Sequence, residues 1–344
     1  MRAVSNGRLG RPRYLRIPTG SGSTQTISLR EHLSPDRCVD RTRPLVLLTL
    51  HPGYAAGSYG ERDYFELLAP LLFQACWGRC RLRIVTVNHA GYDLPPGEQI
   101  DRFDLAPFSM WRQADVIRRV LRHVVIHDFR DEEQVHLVAL GHSMGGFALA
   151  HCDLQQLAKD VSRSGRQLTV QKVLSAPAFI LSREAKKNMD RLNVLHALKQ
   201  SVGRLPWYAP VAKSLYSRIA PTLYRRDARR YSLNPDCSFA DFSQYDPFLL
   251  LQQGRELLEL DLSLEEIATI MAGAHLLVPT DDYMIDFRRL LYAALLANRN
   301  GSAVTVHTID APHNAERERP QVIAERLYRL MLGVIGDRDG ARLM

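Results

Sequence analysis

The sequence predicts an α/β fold: a mostly parallel central sheet flanked by helices, with a helical lid inserted in the second half. Three observations predict it. Short, continuous apolar runs alternate with segments of helical periodicity. The alternation stops near residue 178 and resumes near 272. One apolar run, VHLVAL at 135–140, leads straight into Gly141-His142-Ser143-Met144-Gly145. Continuous apolar runs suit strands covered on both faces, and strand–helix alternation builds a parallel sheet with helices packed against it.

In chain order, LVLLTLH at 45–51 reads as a buried strand that ends at Pro52-Gly53. Residues 64–76 have helical spacing, 82–87 form a second strand and 110–125 an amphipathic helix. The strand at 135–140 is followed by a helix over 144–157 and a strand over 168–174. From 178 to 271 the pattern is mostly helical, with prolines at 206, 210, 221, 235 and 247 and many aromatics, Trp207 and Tyr208 among them. Prolines 206 and 221 mark candidate hinges of this lid. A strand at 275–278, a helix at 285–297, a strand at 304–309 and a closing helix at 320–331 complete the core. Residues 13–18 and 26–29 are candidate antiparallel edge strands. The expected division is a basic arm with edge strands over 1–43, a core over 44–177 and 272–344, and a lid over 178–271.

Composition narrows the class. The chain has 344 residues, 46% of them hydrophobic and 24% charged, as in an ordinary globular protein large enough for one sizeable core. No apolar stretch is long enough to span a membrane as a helix. The net charge of +8 is concentrated at the start, where Arg2, Arg8, Arg11, Arg13, Arg16 and Arg30 stand without an acidic residue. The preferred reading is a solvated tail, with an organelle-targeting peptide as the alternative, and no nucleic-acid partner is expected. Five sparse cysteines, at 38, 76, 80, 152 and 237, do not make a disulfide framework. Cys76 and Cys80 lack a second ligand pair, so no metal and no cofactor are expected, and the location read from this is cytoplasmic.

The chemistry centres on Ser143. G-x-S-x-G is weak as a bare string, but here a strand precedes it and a helix follows, as a sharp strand-to-helix turn requires. Such a turn lifts the serine hydroxyl above the sheet, at a helix N-terminus that favours developing negative charge. A serine hydroxyl needs a base to become a nucleophile. His313 suits that role, because it lies in a Pro-containing loop directly after the last strand. His307 lies inside that strand, His275 begins another, and His142 adjoins the serine with its side chain expected to point away from the base position. A carboxylate must orient the imidazole. Asp281 and Asp282 both follow the segment HLLVPT, which begins with the strand at 275–278, and Asp282 is favoured, with the other acid exposed or capping the next helix. An oxyanion needs backbone donors. Met144, directly after the nucleophile, supplies one. Because Pro52 has no N–H, the second comes from Gly53 or Tyr54.

On the segments LVLLTLHPGY, VALGHSMGG, LLVPTDD and IDAPHN, the chain resembles the α/β-hydrolase fold proteins that carry a helical lid, over roughly residues 44–335. The resemblance implies Ser143 as nucleophile, Asp282 as acid and His313 as base, with Gly53 and Met144 lining an oxyanion hole. It also implies a chain order of Ser, Asp, His. The family often has His-Gly where this chain has His51-Pro52, and a Gly-containing turn where Pro279-Thr280 precedes the aspartates. The function so implied is hydrolysis of a carboxylic ester, thioester or lactone through an acyl enzyme. The alternatives are an acyltransferase with the same triad, or a non-catalytic ligand-binding protein of the same fold. The expected partner is a small acyl substrate with an apolar group, and the sequence leaves the oligomeric state open.

Overall fold

The computed structural model describes residues 8–18, 24–34, 40–102, 104–187, 189–190, 211, 214 and 245–336. Trp207, Tyr208, Pro206, Pro221, Cys38 and Cys237 lie outside the described residues.

Among the described residues, nine strands form the main sheet. They are β1 (Arg8–Leu9), β2 (Arg13–Pro18), β3 (Thr24–Leu33), β4 (Leu45–His51), β7 (Arg81–Val87), β8 (Gln134–His142), β9 (Gln167–Ser175), β10 (Ala274–Pro279) and β11 (Thr305–Ile309). A small separate hairpin pairs β5 (Ser58–Tyr59) with β6 (Arg62–Asp63). The strand order is β1-β3-β7-β4-β8-β9-β10-β11, with β2 paired to β3. From β7 to β11 all neighbours are parallel, and β3 joins antiparallel to β7. The sheet is thus mostly parallel, with an antiparallel edge contributed by the N-terminal strands.

Period-two alternation divides the central strands between two cores. Leu45 and Leu47 pack on one face of the sheet, and Val46, Leu48 and Leu50 pack on the other. In β8, Leu137 and Ala139 face one way and Val138 and Leu140 the other. This two-sided burial is why both strands read as unbroken apolar runs. The first face is covered by α2 (Gln113–His123), α3 (Met144–His151), α4 (Leu154–Ser162) and α7 (Phe287–Arg299), which contribute Val120, Phe147, Leu157 and Leu290. The second is covered by α1 (Leu68–Cys76) and α8 (Pro320–Val334), which pack on each other and contribute residues such as Leu72 and Leu327.

The boundaries differ from the sequence reading for local reasons. The helix expected over 144–157 is two helices, because Asp153 caps a new one by accepting from Gln156 N–H at 2.8 Å. Residues 64–67 form a turn before α1, in which Asp63 accepts from Phe65 N–H. α2 begins only at Gln113 and runs into a wider π turn at Val124–Asp128. Within the N-terminal arm, Arg8–Leu9 pairs with β3, and Gly10 N–H donates to Glu31 O, so part of the arm is sheet and not tail. Among the described residues no helix is long and apolar enough to cross a membrane.

In the interval expected to be a lid, α5 (Pro247–Leu258) and α6 (Leu264–Ile270) are described. Asp246 caps α5 by accepting from Phe248 and Leu249 N–H, and Ser263 with Glu266 makes a capping box for α6. α5 lies on the loops that leave the carboxyl ends of β4 and β7. Tyr54 Oη donates to Leu250 O at 2.9 Å, and Tyr92 Oη donates to Gln253 Oε1 at 2.8 Å.

Candidate active site

Parallel strands place the residues that follow them along one edge of the sheet. β8 delivers Ser143, β10 delivers Asp281 and Asp282, and β11 delivers His313. Ser143 sits between β8 and α3 at φ +52°, a conformation that costs a non-glycine residue energy. The surroundings hold it there. Its N–H donates to Ser175 O at 2.9 Å, and its carbonyl accepts from Phe147 and Ala178 N–H. The flanking glycine at 145 is a packing requirement. A Cβ on Gly145 would lie 2.2 Å from His51 O and 2.4 Å from Pro52 O, both backbone atoms. We expect Gly145→Ala to destabilise the fold by roughly 2–3 kcal/mol, as overpacking of a rigid contact does. A denaturant melt indistinguishable from the parent would contradict this.

The three side chains expected from the sequence meet. His313 Nε2 lies 3.1 Å from Ser143 Oγ, and His313 Nδ1 lies 2.8 Å from Asp282 Oδ2 and 3.0 Å from Oδ1. A carboxylate only accepts, so Nδ1 carries the proton and Nε2 offers its lone pair to the serine hydroxyl. Asp282 Oδ1 also accepts from Met284 and Ile285 N–H at 2.8 and 2.9 Å, which fixes the carboxylate. Ser143, Asp282 and His313 are all buried. Asp281 is exposed, and its backbone N–H donates to Ala311 O. Neither acid of the pair caps the next helix. Asp286 does, accepting from Arg289 N–H.

Gly53 approaches the serine closely: a Cβ built there would lie 3.0 Å from Ser143 Cβ and 3.0 Å from His142 Cδ2. Met144 opens α3, immediately after the serine. The Tyr54 side chain turns to α5 through its bond to Leu250 O. The loop after β4 is held by the loop after β7. His89 Nε2 donates to Pro52 O, Tyr92 Oη accepts from Ala55 N–H, and Asn88 Oδ1 accepts from Ser58 N–H.

Sequence reasoning set His142 aside as a base and missed its neighbours. Its ring stacks on Tyr64 and lies 4.9 Å from the His313 ring, centroid to centroid. His142 Nδ1 is 3.2 Å from Glu316 Oε2, though outside hydrogen-bonding alignment. Tyr64 Oη lies 3.2 Å from His142 Nε2, 3.2 Å from Glu316 Oε2 and 3.1 Å from Asn314 Oδ1. The one available signal was an acid three residues after His313, and nothing in the sequence points to Tyr64. Burial disfavours the charged form of Glu316, but the His142 imidazole, the Ser175 hydroxyl and a backbone N–H beside it together outweigh this and hold the carboxyl at about 2, below its ordinary 4.5. A carboxyl depressed by folding adds stability above its unfolded value and loses it as pH falls through the folded one. The parent's melting temperature should therefore drop between about pH 4.5 and pH 2. Glu316→Gln should be less stable at neutral pH and show a flatter melting profile across that window. Parallel profiles for the two proteins would refute this.

Among the described residues, no group of three or more His, Cys, Asp or Glu side chains is placed to hold a metal ion. Cys76, Cys80 and Cys152 are buried free thiols.

A mostly parallel sheet of this order, with a Ser–His–Asp set at its carboxyl edge, defines the α/β-hydrolase class. The chain belongs to the Alpha/beta hydrolase family, which it matches over residues 45–326, and is by family a hydrolase. Solved structures are similar in fold. One is a thermophilic esterase from Thermogutta terrifontis, with TM-score 0.53 and 14% identity, over 94% of this chain and 99% of that one. Another is an esterase from Exiguobacterium antarcticum, with TM-score 0.53 and 15% identity, over 94% and 100%. A third is the peroxisomal alpha-beta-hydrolase Lpx1 from Saccharomyces cerevisiae, with TM-score 0.57 and 12% identity, over 95% and 90%. At these identities the likeness is one of fold. No curated protein matches the chain by sequence.

Proposed function

We propose that the protein is a serine hydrolase that cleaves a carboxylic ester, thioester or lactone through an acyl enzyme. The observation that carries this is the hydrogen-bonded series from Ser143 Oγ through His313 to Asp282. His313 Nε2 takes the hydroxyl proton as Ser143 Oγ attacks the acyl carbon. Asp282 stabilises the imidazolium that forms. The N–H groups of Gly53 and Met144 receive the oxyanion, where each donor is worth about 10²–10³ in rate. His313 then returns the proton to the leaving group. A water molecule, activated by the same imidazole, releases the acyl group.

The insert between 178 and 271 acts as a lid over this edge. Supporting that reading, α5 bonds to the Tyr54 and Tyr92 loops beside the serine. Its apolar and aromatic content suits a substrate with an apolar acyl or alcohol group. The buried free thiols fit a reducing compartment, so we place the protein in the cytoplasm.

The experiment is labelling with a fluorophosphonate, followed by turnover of p-nitrophenyl esters of graded acyl length. Labelling at Ser143 and faster turnover of apolar acyl groups are expected. Unlabelled protein would leave a ligand-binding role. Acyl transfer to an alcohol or amine in preference to water would make the protein an acyltransferase.

A further inference from the structure

We infer that His89 is a positioning residue for the oxyanion hole: it anchors the Pro52–Gly53 peptide so that the Gly53 N–H faces the reacting centre. The inference rests on Ser143 being the nucleophile.

The argument starts from one hydrogen bond. His89 Nε2 is 2.6 Å from Pro52 O, and both residues are buried. A carbonyl oxygen only accepts, so Nε2 carries the proton. Burial pushes the His89 imidazole down to about 4 from its ordinary 6.5, so at neutral pH it has a single N–H, committed to this carbonyl. The ring meets Tyr92 edge-on with centroids 5.4 Å apart, and the next residue is held as well, Ala90 N–H donating to Gln113 Oε1 at 3.1 Å.

Pro52 O and the Gly53 N–H belong to one peptide unit. The unit is planar and trans, so its C=O and N–H point in opposite directions. Holding the oxygen on the His89 side therefore holds the N–H on the other. Gly53 lies at the serine, with a virtual Cβ 3.0 Å from Ser143 Cβ. Pro52 cannot supply the donor itself.

This peptide needs an anchor more than most. Glycine accepts backbone dihedrals that other residues do not, so the peptide before Gly53 can rotate where a bulkier residue would hold it. Neighbouring parts of the loop have their own anchors, Tyr92 on Ala55 N–H and Asn88 on Ser58 N–H. Loss of the His89 bond thus removes the hydrogen bond that orients Pro52 O, leaving that oxygen packed against Gly145 without it, and leaves the rest of the loop in place.

The test compares the parent, His89→Leu and His89→Gln. The readouts are kcat and KM on a short p-nitrophenyl ester, inhibition by a trifluoromethyl ketone whose adduct carries an oxyanion, and thermal melting. In His89→Leu, kcat should fall by about 10–100-fold, somewhat less than deleting a donor outright. KM should stay near the parent value. Ketone inhibition should weaken by the same factor as kcat. Glutamine can present an N–H to the same carbonyl, so His89→Gln should recover much of the loss. An unchanged kcat in His89→Leu overturns the inference. So does a fall in kcat that His89→Gln does not relieve while ketone affinity is kept. If His89→Leu does not fold, the ketone affinity of His89→Gln relative to its KM decides alone: a parent-like ratio upholds the anchor, and a ratio lowered tenfold or more overturns it. A parent that reacts with neither ester nor fluorophosphonate overturns the nucleophile reading, and this inference with it.

Discussion

Ser143→Ala should abolish ester hydrolysis and fluorophosphonate labelling while leaving the melting temperature almost unchanged. The two halves of this expectation have separate causes. Alanine keeps the Cβ and the +52° φ of the elbow, together with its backbone bonds to Ser175, Phe147 and Ala178. What disappears is the oxygen that bonds to His313 Nε2 at 3.1 Å. A buried imidazole nitrogen then lacks its partner, a cost of about 1–3 kcal/mol at most, which water in the opened space can reduce. Covalent catalysis has no such substitute. Removing a triad serine costs about 10⁶-fold in turnover, because histidine and aspartate have nothing left to activate. Steady-state hydrolysis of a p-nitrophenyl ester and a calorimetric scan measure the two halves. Residual turnover above about 1% of the parent would remove Ser143 from the reaction.

What the sequence revealed and what it hid follow from how each feature is encoded. The strands β4 and β8 are buried on both faces, so they stand out as unbroken apolar runs. The elbow is legible because its geometry restricts residue types: a Cβ on Gly141 would lie 2.6 Å from Gly145 O. His313 and Asp282 are legible by position, as the residues that leave adjacent parallel strands on one edge. Features made by contacts distant in sequence were not legible. Glu316 and Tyr64 meet across 252 positions, and no local pattern announces a carboxylate buried against His142. The role of His89 depends on where Pro52 O points, which a sequence does not record. Helix boundaries were missed where one side chain decided them, as Asp153 and Asp286 do by capping.

Asp282→Asn should lower turnover by about 10⁴-fold, the size of effect seen when a triad imidazole is left in the wrong tautomer. The hydrogen bonds around Asp282 explain why so small a change has so large a consequence. Oδ1 accepts from two backbone donors, Met284 and Ile285 N–H, as well as lying 3.0 Å from His313 Nδ1. Asparagine has one oxygen to offer, and those two N–H groups claim it. The new NH2 group then takes the position of Oδ2, which now receives His313 Nδ1–H at 2.8 Å. Two donors cannot face each other across that distance, so the ring moves its proton to Nε2 to present a lone pair at Nδ1. Nε2–H then points at Ser143 Oγ and cannot accept its proton. The triad geometry survives while its polarity reverses. The variant should therefore melt close to the parent and keep KM, with the loss confined to kcat. Asp281→Asn is the matched control. Its side chain is exposed, and its backbone N–H donates to Ala311 O, a bond the substitution preserves. Turnover should stay within about twofold of the parent, as for most surface changes. A large loss in Asp281→Asn with little in Asp282→Asn would assign the carboxylate to the other member of the pair.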